Sequence, residues 1–439
     1  MTVWPDVRLV RAVAAWAIAA LLVAVWPALW LACTVGLALI LSFAAWDLAA
    51  AQPALRLARR LPPRAFTGRE AEVTIELEHD GDAAIEADVV DEAPADVVPL
   101  EPWRRGVVVP PRGRATIRYA IRPGVRGDRG FGPALALVRS PLGLFRRRVA
   151  AGDGELLRVY PDASRFLRRE VLDPKRLLAT VGARPALRRG EGMEFESLRD
   201  YVPGDDLRRI DWAASARRGR AVTRLYEQER RRTIVVAVDT SRLMAGVVDG
   251  RTKLDHAVDA ALALGYAGLV SGDRVAMCAF DAELGGFVAS RGHRRHLGAF
   301  LDFLRMLAPT PVEADYRALL RGLERHQRQR ALLVVLTDFV EADPMAIVAP
   351  LGILGRHHRV LLVAVRDRAY NLLAPDARPA DDDGLAPYRR LVVDDLLRER
   401  EATLARLRRR GLQTLDLAPS ALTAAVLNRY LAIRDAPAR

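Results

Sequence analysis

The chain has 439 residues, of which 51% are hydrophobic and 28% charged, and its formal net charge is +13. A single hydrophobic core rarely extends over so many residues, so the composition predicts several folded domains and excludes a disordered chain. The two cysteines, Cys33 and Cys278, lie far apart in different contexts. This excludes a disulfide framework and indicates a reducing compartment.

The positive charge comes almost entirely from arginine, because Lys175 and Lys253 are the only lysines. Such arginine and alanine usage is typical of a GC-rich genome. The arginines are scattered and lack the interleaved aromatic residues that single-stranded nucleic acid requires. We therefore expect no nucleic-acid partner.

An apolar segment without a charged residue extends from Ala12 to Trp46. It is too long for one perpendicular crossing of a hydrocarbon core about 30 Å thick. Trp26 and Pro27, near its middle, favour a turn, so the segment predicts a transmembrane helical hairpin over residues 1–50. A signal peptide is the alternative, but the apolar run exceeds the length of its hydrophobic region.

Arginines flank the hairpin on both sides, before it at Arg8 and Arg11 and after it from Arg56 to Arg64. The positive-inside rule therefore places both ends of the hairpin, and the soluble domains, in the cytoplasm. Membrane lipid is accordingly an expected partner.

After a basic linker at residues 51–65, apolar and polar residues alternate in "EVTIELEH" and "ATIRYAIR". This period of two, with frequent turn residues, predicts a small β-sandwich-like domain over residues 66–160. Within it, "RSPLGLFRRR" predicts a turn before an edge strand whose arginines are solvated.

Residues 233–439 predict a doubly wound α/β domain, because continuous apolar strands alternate with helical patterns. The predicted strands are "TIVVAVD", "DRVAMCAFD", "ALLVVLTDF", "HRVLLVAVRD" and "LQTLDL". The predicted helices cover about 253–269, 294–307, 316–328, 344–354, 392–409 and 420–433.

Two of these strands end in polar residues, Asp239, Thr240 and Ser241 after the first and Thr337 and Asp338 after the third. Ligands of doubly wound domains bind at the carboxyl ends of the strands. Carboxylates and hydroxyls are hard oxygen ligands suited to Mg²⁺. The alternative is that each acid caps a helix or accepts from loop amides.

These strand ends resemble the metal-ion-dependent adhesion site of von Willebrand factor A-like domains. The residues that match its ligands are Asp239, Ser241 and Asp338. Leu243 stands in place of a third ligand of the opening motif, and Glu313 or Ala314 in place of its threonine. The resemblance therefore implies a degenerate site that binds Mg²⁺ weakly at most.

Between the two soluble domains, residues 161–232 form a connector that contains the charged signature "GEGMEFESLRDYVPGDDLRRIDWAASAR". Pro203 and Gly204 predict a turn, and Asp205 is expected to cap a helix ended by Gly219. Its acids and arginines are interleaved, which favours a structural or docking role. The signature residues are Glu194, Phe195, Arg199, Asp200, Tyr201, Pro203, Gly204, Asp205, Asp206, Arg208, Asp211 and Trp212.

The signature resembles that of the bacterial membrane-anchored family catalogued as domain of unknown function 58. The family's layout implies a transmembrane hairpin, a β-rich segment, the signature and a von Willebrand A-like domain, in the bacterial inner membrane. Its members are typically encoded beside MoxR-type AAA+ ATPases, so the resemblance implies an adaptor or chaperone-like scaffold for such an ATPase or a client protein.

The alternative from another class is a hydrolase with an unrecognised carboxylate site within residues 190–217. The signature contains no His, Cys or Lys, and the chain contains no Gly-x-x-x-x-Gly-Lys, His-Glu-x-x-His or Gly-x-Ser-x-Gly motif. We therefore expect no enzyme. The two hypotheses differ in whether the acids of the signature converge on a cleft or are neutralised by its arginines.

Overall fold

The computed structural model describes residues 3–24, 26–50, 55–101, 104–151, 154–162, 194–202, 210–227, 232–292, 296–339, 344–366 and 386–435. The chain divides into two compact units, Met1–Asp162 and Ala163–Arg439. The first contains the apolar helices and three β-sheets, and the second contains the signature segment and an α/β domain.

Two helices, α1 (Val7–Ala20) and α2 (Trp30–Ala50), form the apolar N-terminal segment. The two helices contact each other through a hydrogen bond of 3.0 Å, which the Trp16 indole donates to the carbonyl of Cys33. Gly36 lies beside the same indole, where a Cβ would make an ordinary van der Waals contact of 3.7 Å. Asp6 caps the start of α1 by accepting from a backbone N–H of its first turn.

In the described part of the chain one helix, α2, is long and apolar enough to cross a membrane. It has 21 residues, whereas α1 has 14 before its backbone tightens into a 3-10 turn at Leu21–Ala24. The sequence predicted two crossings. Length and composition thus support one candidate span near the N-terminus, which is weak evidence of membrane association.

The strands of the first unit are β1 (Val3–Pro5), β2 (Leu55–Arg60), β3 (Ala65–Phe66), β4 (Ala71–His79), β5 (Ile85–Asp91), β6 (Val97–Pro99), β7 (Arg104–Val109), β8 (Arg114–Pro123), β9 (Gly127–Gly130), β10 (Ala134–Arg139), β11 (Phe145–Ala151) and β12 (Leu156–Tyr160). They form sheets of order β1-β11-β10-β5-β7, β2-β4-β8-β6 and β3-β12-β9. Alternate residues from all three sheets meet in one hydrophobic core. This matches the period of two in the sequence.

Part of the segment predicted as a linker, residues 51–65, is the strand β2. Leu55, Leu57 and Arg59 alternate inward, and Arg59 forms a buried ion pair of 2.6 Å with Asp91. The arginines of "LRLARR" concealed this strand pattern. The predicted edge strand β11 also differs, since β1 pairs with its outer side.

The second unit contains β13 (Glu194–Asp200), α3 (Trp212–Arg218), β14 (Val222–Glu227), β15 (Thr233–Asp239), β16 (Val247–Val248), β17 (Arg251–Thr252), α4 (Lys253–Val270), β18 (Arg274–Phe280), β19 (Leu284–Arg291), α5 (Leu297–Met306), α6 (Tyr316–His326), β20 (Leu332–Thr337), α7 (Pro344–His357), β21 (Arg359–Val365), α8 (Ala386–Arg409), β22 (Gln413–Leu417) and α9 (Pro419–Asp435). The main sheet has the order β19-β18-β15-β20-β21-β22 and is parallel except for β19. This is a doubly wound order whose switch point lies between β15 and β20.

The inner strands of this sheet are buried on both sides, which shows that both faces of the sheet are covered. Val235 and Ala237 of β15 share one core with α6, α7 and α8. On the other face, α4 approaches closely through Gly265 and Gly268, where a Cβ would collide with Met277 and Val275. The predicted strands are observed, and the antiparallel β19 was missed because its glycines weaken the pattern.

Candidate functional site at the strand ends and in the signature

Asp239 ends β15 and Thr337 ends β20, and these strands are adjacent and parallel at the switch point of the sheet. Both side chains are fully buried. The Thr337 hydroxyl donates to Asp239 Oδ2 over 2.5 Å and lies 2.9 Å from the Tyr316 hydroxyl. Since Thr337 has one proton, the Tyr316 hydroxyl donates to Thr337, and a chain of hydroxyls ends on the Asp239 carboxylate.

Asp239 Oδ1 accepts a 2.7 Å hydrogen bond from the backbone N–H of Ser241. Burial raises the pKa of Asp239 to about 6, the negative charge of Asp338 adds to this increase, and the bonds from Thr337 and Ser241 oppose it. The Ser241 hydroxyl lies close enough to favour the ionised carboxylate, but it is buried and forms no hydrogen bond of good geometry. The structure thus brings Asp239 and Ser241 together as predicted.

Asp338, the other predicted metal ligand, is held between two buried cations. Lys253 Nζ donates to its Oδ2 over 2.7 Å, and Arg400 donates to its Oδ1 over 2.7 Å. The exposed fractions of these side chains are 1% for Asp338, 6% for Lys253 and 4% for Arg400. Each oxygen of this carboxylate therefore has a positive partner from within the chain.

Lys253 is the first residue of α4, directly after the Thr252 cap, whose side chain forms a capping box with Asp255. A positive charge is unfavourable at this end of a helix because of the helix dipole. The ion pair with Asp338 offsets this cost. Gly246 accommodates the lysine, since a Cβ there would lie 3.2 Å from Lys253 Cε.

Arg400, on α8, extends the network to the end of the sheet. It donates to Asp416 over 3.0 Å and to the carbonyl of Phe339 over 2.8 Å, and its guanidinium stacks over the Phe339 ring. Burial opposes its charge, but Asp338 and Asp416 raise the pKa of Arg400 overall. Asp416 also accepts from Arg366 over 2.8 Å, so alternating charges link α8, β20 and β22.

The rim formed by these residues fits a divalent cation poorly. Mg²⁺ requires near-octahedral oxygen ligands, whereas both oxygens of Asp338 already accept from Lys253 and Arg400. Leu243, at the position of an expected ligand, has no donor atom in its side chain. Glu313 is exposed and pairs with Arg242 over 2.7 Å.

Thr310 is the hydroxyl that the loop before α6 brings to the rim, a residue that the sequence did not single out. Its Oγ1 lies 3.0 Å from the carbonyl of Thr240 and 3.0 Å from Asp281 Oδ2. Its backbone N–H also donates to Thr240. Thr310 therefore fastens this loop to the end of β15.

In the signature, β13 and β14 pair in antiparallel fashion, with a bulge between Phe195 and Ser197. Glu194, Phe195, Arg199 and Asp200 lie along β13. Asp200 forms an exposed ion pair of 2.8 Å with Arg220. Pro203, Gly204, Asp205, Asp206 and Arg208 lie outside the described residues.

The signature helix α3 begins at Trp212, and its cap is Asp211. The sequence placed the start of this helix after Asp205. Asp211 has extended backbone angles and accepts from the N–H of Ala214 over 3.0 Å, and Ile210 bridges to Thr223, so the helix starts only here.

This start decides which side of α3 faces the core. Ala214 and Ser215 are buried, and the Ser215 hydroxyl accepts from the N–H of Val222 over 2.9 Å. Trp212 instead has 70% of its surface exposed. Ile210, by contrast, is buried, and Tyr201 is half-buried.

Sequence reasoning missed the cations that hold Asp338. Lys253 carried one signal, because it is one of two lysines in a chain that otherwise uses arginine. Arg400 carried none, since nothing in its local sequence distinguishes it from the other arginines of α8.

The family model described as "Protein of unknown function DUF58" matches residues 197–380, from the signature into the α/β domain. "Uncharacterized protein Rv1480" of Mycobacterium tuberculosis and "Uncharacterized protein Mb1516" of Mycobacterium bovis are each 30% identical over 180 residues, or 40% of this chain. The chain covers 56% of these relatives. It therefore spans about half the length of the curated relatives that it matches.

Among solved structures, Escherichia coli alpha-2-macroglobulin aligns with 26% of this chain and 17% of its own at 14% identity, with a TM-score of 0.21. The CARDB domain of the PF1109 protein from Pyrococcus furiosus aligns with 24% of this chain and 88% of its own at 13% identity, with a TM-score of 0.17. Likenesses this weak carry no argument about function. The chain is thus similar, over its signature and α/β domain, to a family of unknown function.

Proposed function

We propose that this protein is a membrane-anchored adaptor that presents its signature and its von Willebrand A-like α/β domain to a MoxR-type AAA+ ATPase or to a client protein. The observation that carries the proposal is the exposure of Trp212. Its side chain is 70% exposed at the start of the short helix α3, which is capped by Asp211 and ends at Gly219. Exposed tryptophans and arginines are the residue types that dominate binding energy at interfaces.

Other residues of the same segment are exposed or basic. Val202 is exposed, and Arg217 and Arg218 lie in the last turn of α3, followed by Arg220. An exposed aromatic residue and several arginines on one short segment favour a partner surface that offers carboxylates and an apolar pocket.

The alternative, a hydrolase with a carboxylate site in the signature, has less support. Of the signature acids with described side chains, Asp200 pairs with Arg220 and Asp211 caps α3. A general acid or base must reach a reacting group in a cleft. These two acids serve the backbone and a neighbouring arginine instead, which favours the adaptor.

The anchor of this adaptor is a hairpin of two membrane helices, α1 and α2, with the β-sheets of the first unit and the whole second unit in the cytoplasm of a bacterium. The contact of Trp16 with α2 and the arginines flanking the segment support this topology. Reporter fusions after Arg64 and Arg439 should both report cytoplasm. A periplasmic signal from either fusion overturns the hairpin.

The adaptor function is tested by binding of the purified MoxR-type ATPase to the full chain in detergent. Trp212→Ala is expected to weaken binding at least about tenfold, the typical effect of a central aromatic anchor. Val247→Ala is the control, because Val247 is 67% exposed elsewhere in the same unit. Equal affinities for both variants would reject the proposed surface.

A further inference from the structure

A cavity of about 530 Å³ lies in the first unit, where the ends of the apolar helices meet the edge of the five-stranded sheet. Its walls come from the first turn of α1, the last residue of α2, the β4–β5 loop and the ends of β10 and β11. Cavities of this size accommodate small ligands or headgroups. The lining residues used below are Arg8, His79, Arg139, Gly143 and Arg147.

Two arginines reach this cavity from different elements. Arg147 of β11 lies directly opposite Val138 of β10, and Val138 is buried, so both side chains point to the inner face of the sheet. Arg8 of α1 lies against Gly143, whose φ of +71° suits glycine, and a Cβ there would come within 2.9 Å of Arg8 Nη1. The glycine turn therefore makes room for the Arg8 guanidinium.

The acids that line the cavity are already paired. Glu86 accepts from Arg139 over 3.0 Å, and Asp82 pairs with Arg112 over 2.6 Å. The described wall thus contains three arginines, Arg8, Arg139 and Arg147, against these two acids, so its formal charge is positive. Guanidinium groups bind phosphate oxygens through paired hydrogen bonds.

His79 adds a polar group that lacks a partner. Its side chain is buried, and Nε2 lies 2.9 Å from the carbonyl of Ala83, so Nε2 carries a proton because a carbonyl only accepts. Its other nitrogen, Nδ1, is buried and makes no hydrogen bond. A buried polar atom without a partner, in the wall of a cavity, is typical of a site that a ligand completes.

The position of the cavity indicates where its ligand comes from. Ala50, the last residue of the candidate membrane span α2, is part of the wall. Next to cavity residues in the sequence, Val7 and Leu142 are exposed by 54% and 40%. Apolar side chains beside a basic cavity at a helix end suit a lipid, whose acyl chains and headgroup phosphate need both surfaces.

We propose that this cavity binds the headgroup of an anionic phospholipid, with Arg8 and Arg147 donating to the oxygens of its phosphate diester and His79 Nδ1 accepting from a headgroup hydroxyl. The proposal rests on the membrane anchor of the proposed function and is independent of the ATPase. The proposed lipid site recognises the headgroup where the helices meet the β-sheet.

The test measures thermal unfolding of the full chain in nonionic detergent with added lipid. Phosphatidylglycerol should raise the melting temperature, whereas phosphatidylcholine, which has no net charge, should raise it much less. Inorganic phosphate is the third arm. An equal effect of inorganic phosphate would overturn the assignment to a phospholipid, and an equal effect of the two lipids would overturn the proposed selectivity for an anionic headgroup.

The residues are tested by Arg8→Gln combined with Arg147→Gln, against a control that combines Arg11→Gln with Arg148→Gln. Both pairs remove two charges from α1 and β11, but the control residues do not line the cavity. Native mass spectrometry should show an affinity for phosphatidylglycerol at least about tenfold lower for the first pair only. Equal losses in both pairs would reveal charge attraction without a site and reject the proposal.

Arg8→Gln alone provides the measurement if the double variant does not fold. It should lower the affinity by several-fold, and an unchanged affinity contradicts the proposal. Carbonate extraction of cell membranes distinguishes a failure of the membrane anchor from a failure of the lipid site. A chain that is extracted refutes the anchor. A chain that stays in the membrane but shows no lipid selectivity refutes only the site.

Discussion

Lys253 and Asp338 form a buried ion pair of 2.7 Å at the end of the α/β sheet, at a position where sequence resemblance implied a metal ligand. Arg400 holds the other oxygen of the same carboxylate. The rim therefore supplies its own positive charge. Its stability, its response to pH and its response to metal follow from this arrangement.

Asp338→Asn is expected to lower the free energy of unfolding by about 3–5 kcal/mol, because it leaves Lys253 and Arg400 buried without their shared counter-charge. Arg242→Gln, which breaks the exposed pair with Glu313, should cost about 1 kcal/mol or less. Thermal unfolding of the detergent-solubilised chain gives both values. Equal, small effects would mean that the Asp338 pairs contribute little.

The pKa of Asp239 is about 6, above the ordinary value of 3.8. An acid whose pKa rises on folding binds its proton more tightly in the folded state, so its contribution to stability is present at low pH and lost as pH rises from about 4 to about 6. The loss is on the order of 2–3 kcal/mol. Asp239→Asn should therefore gain stability relative to the unmodified chain between pH 4.5 and 7.

This gain is measured as the difference in melting temperature between the two proteins at several pH values, so that other titrating groups cancel. A metal bound at Asp239 would reverse the sign, because it would hold the carboxylate ionised. If this difference in melting temperature is independent of pH, or falls as pH rises, folding does not raise the pKa of Asp239 and the prediction is wrong.

Millimolar Mg²⁺ should leave the melting temperature unchanged, and a chelator should leave it unchanged as well, because Lys253 already donates to Asp338. Calorimetry of the same samples should show little heat of binding. Tight binding that disappears in Asp239→Ala would restore the complete metal site and refute this reading of the rim.

The positions of Asp239 and Asp338 were predictable, because parallel strands that end in acids bring those acids to one edge of the sheet. The partners of Asp338 were not, since Lys253 and Arg400 are 85 and 62 residues away in the sequence. Pairing over such distances depends on how helices pack on the sheet, which local patterns do not encode.

In the signature, too, some features could be predicted from the sequence and others could not. Its charge pattern predicted pairing between its own acids and arginines, whereas the described partner of Asp200 is Arg220, three residues beyond the signature. The exposure of Trp212 was not predictable, because it depends on the residue at which α3 begins, and both Asp205 and Asp211 are suitable caps.

Asp211→Ala should destabilise the second unit by about 1 kcal/mol, the usual effect of losing a helix cap. Trp212→Ala should change stability by no more than about 0.5 kcal/mol, because its side chain is exposed. Hydrogen exchange of the α3 amides distinguishes the two variants. A strong destabilisation by Trp212→Ala would show that the indole is part of a core.

Asp47 fixes the end of α2 to the turn before β11. It is fully buried and accepts from the Ser140 hydroxyl over 2.5 Å and from the N–H groups of Leu142 and Leu144 over 2.7 and 3.0 Å. Asp47→Ala leaves these donors without an acceptor, at about 1–3 kcal/mol each. Hydrogen exchange at Leu142 and Leu144 should accelerate at least about tenfold.

Ser42→Ala is the control for this variant, because the Ser42 hydroxyl donates only to a carbonyl within α2 and is exposed. It should leave exchange in the turn unchanged. Unaltered protection of the turn in Asp47→Ala would mean that α2 and the β-sheets are fastened by other contacts.

The measurement that tests the central claim most directly is site-specific photo-crosslinking of the full chain with its purified MoxR-type ATPase. A photoreactive phenylalanine analogue replaces Trp212 in one sample and Val247 in the other. The adaptor function predicts a crosslink to the ATPase from position 212 and none from position 247. Absence of a crosslink from position 212, together with a hydrolytic activity that is lost when Asp205, Asp206 and Asp211 are changed to Asn, would contradict it and establish the signature as a catalytic centre.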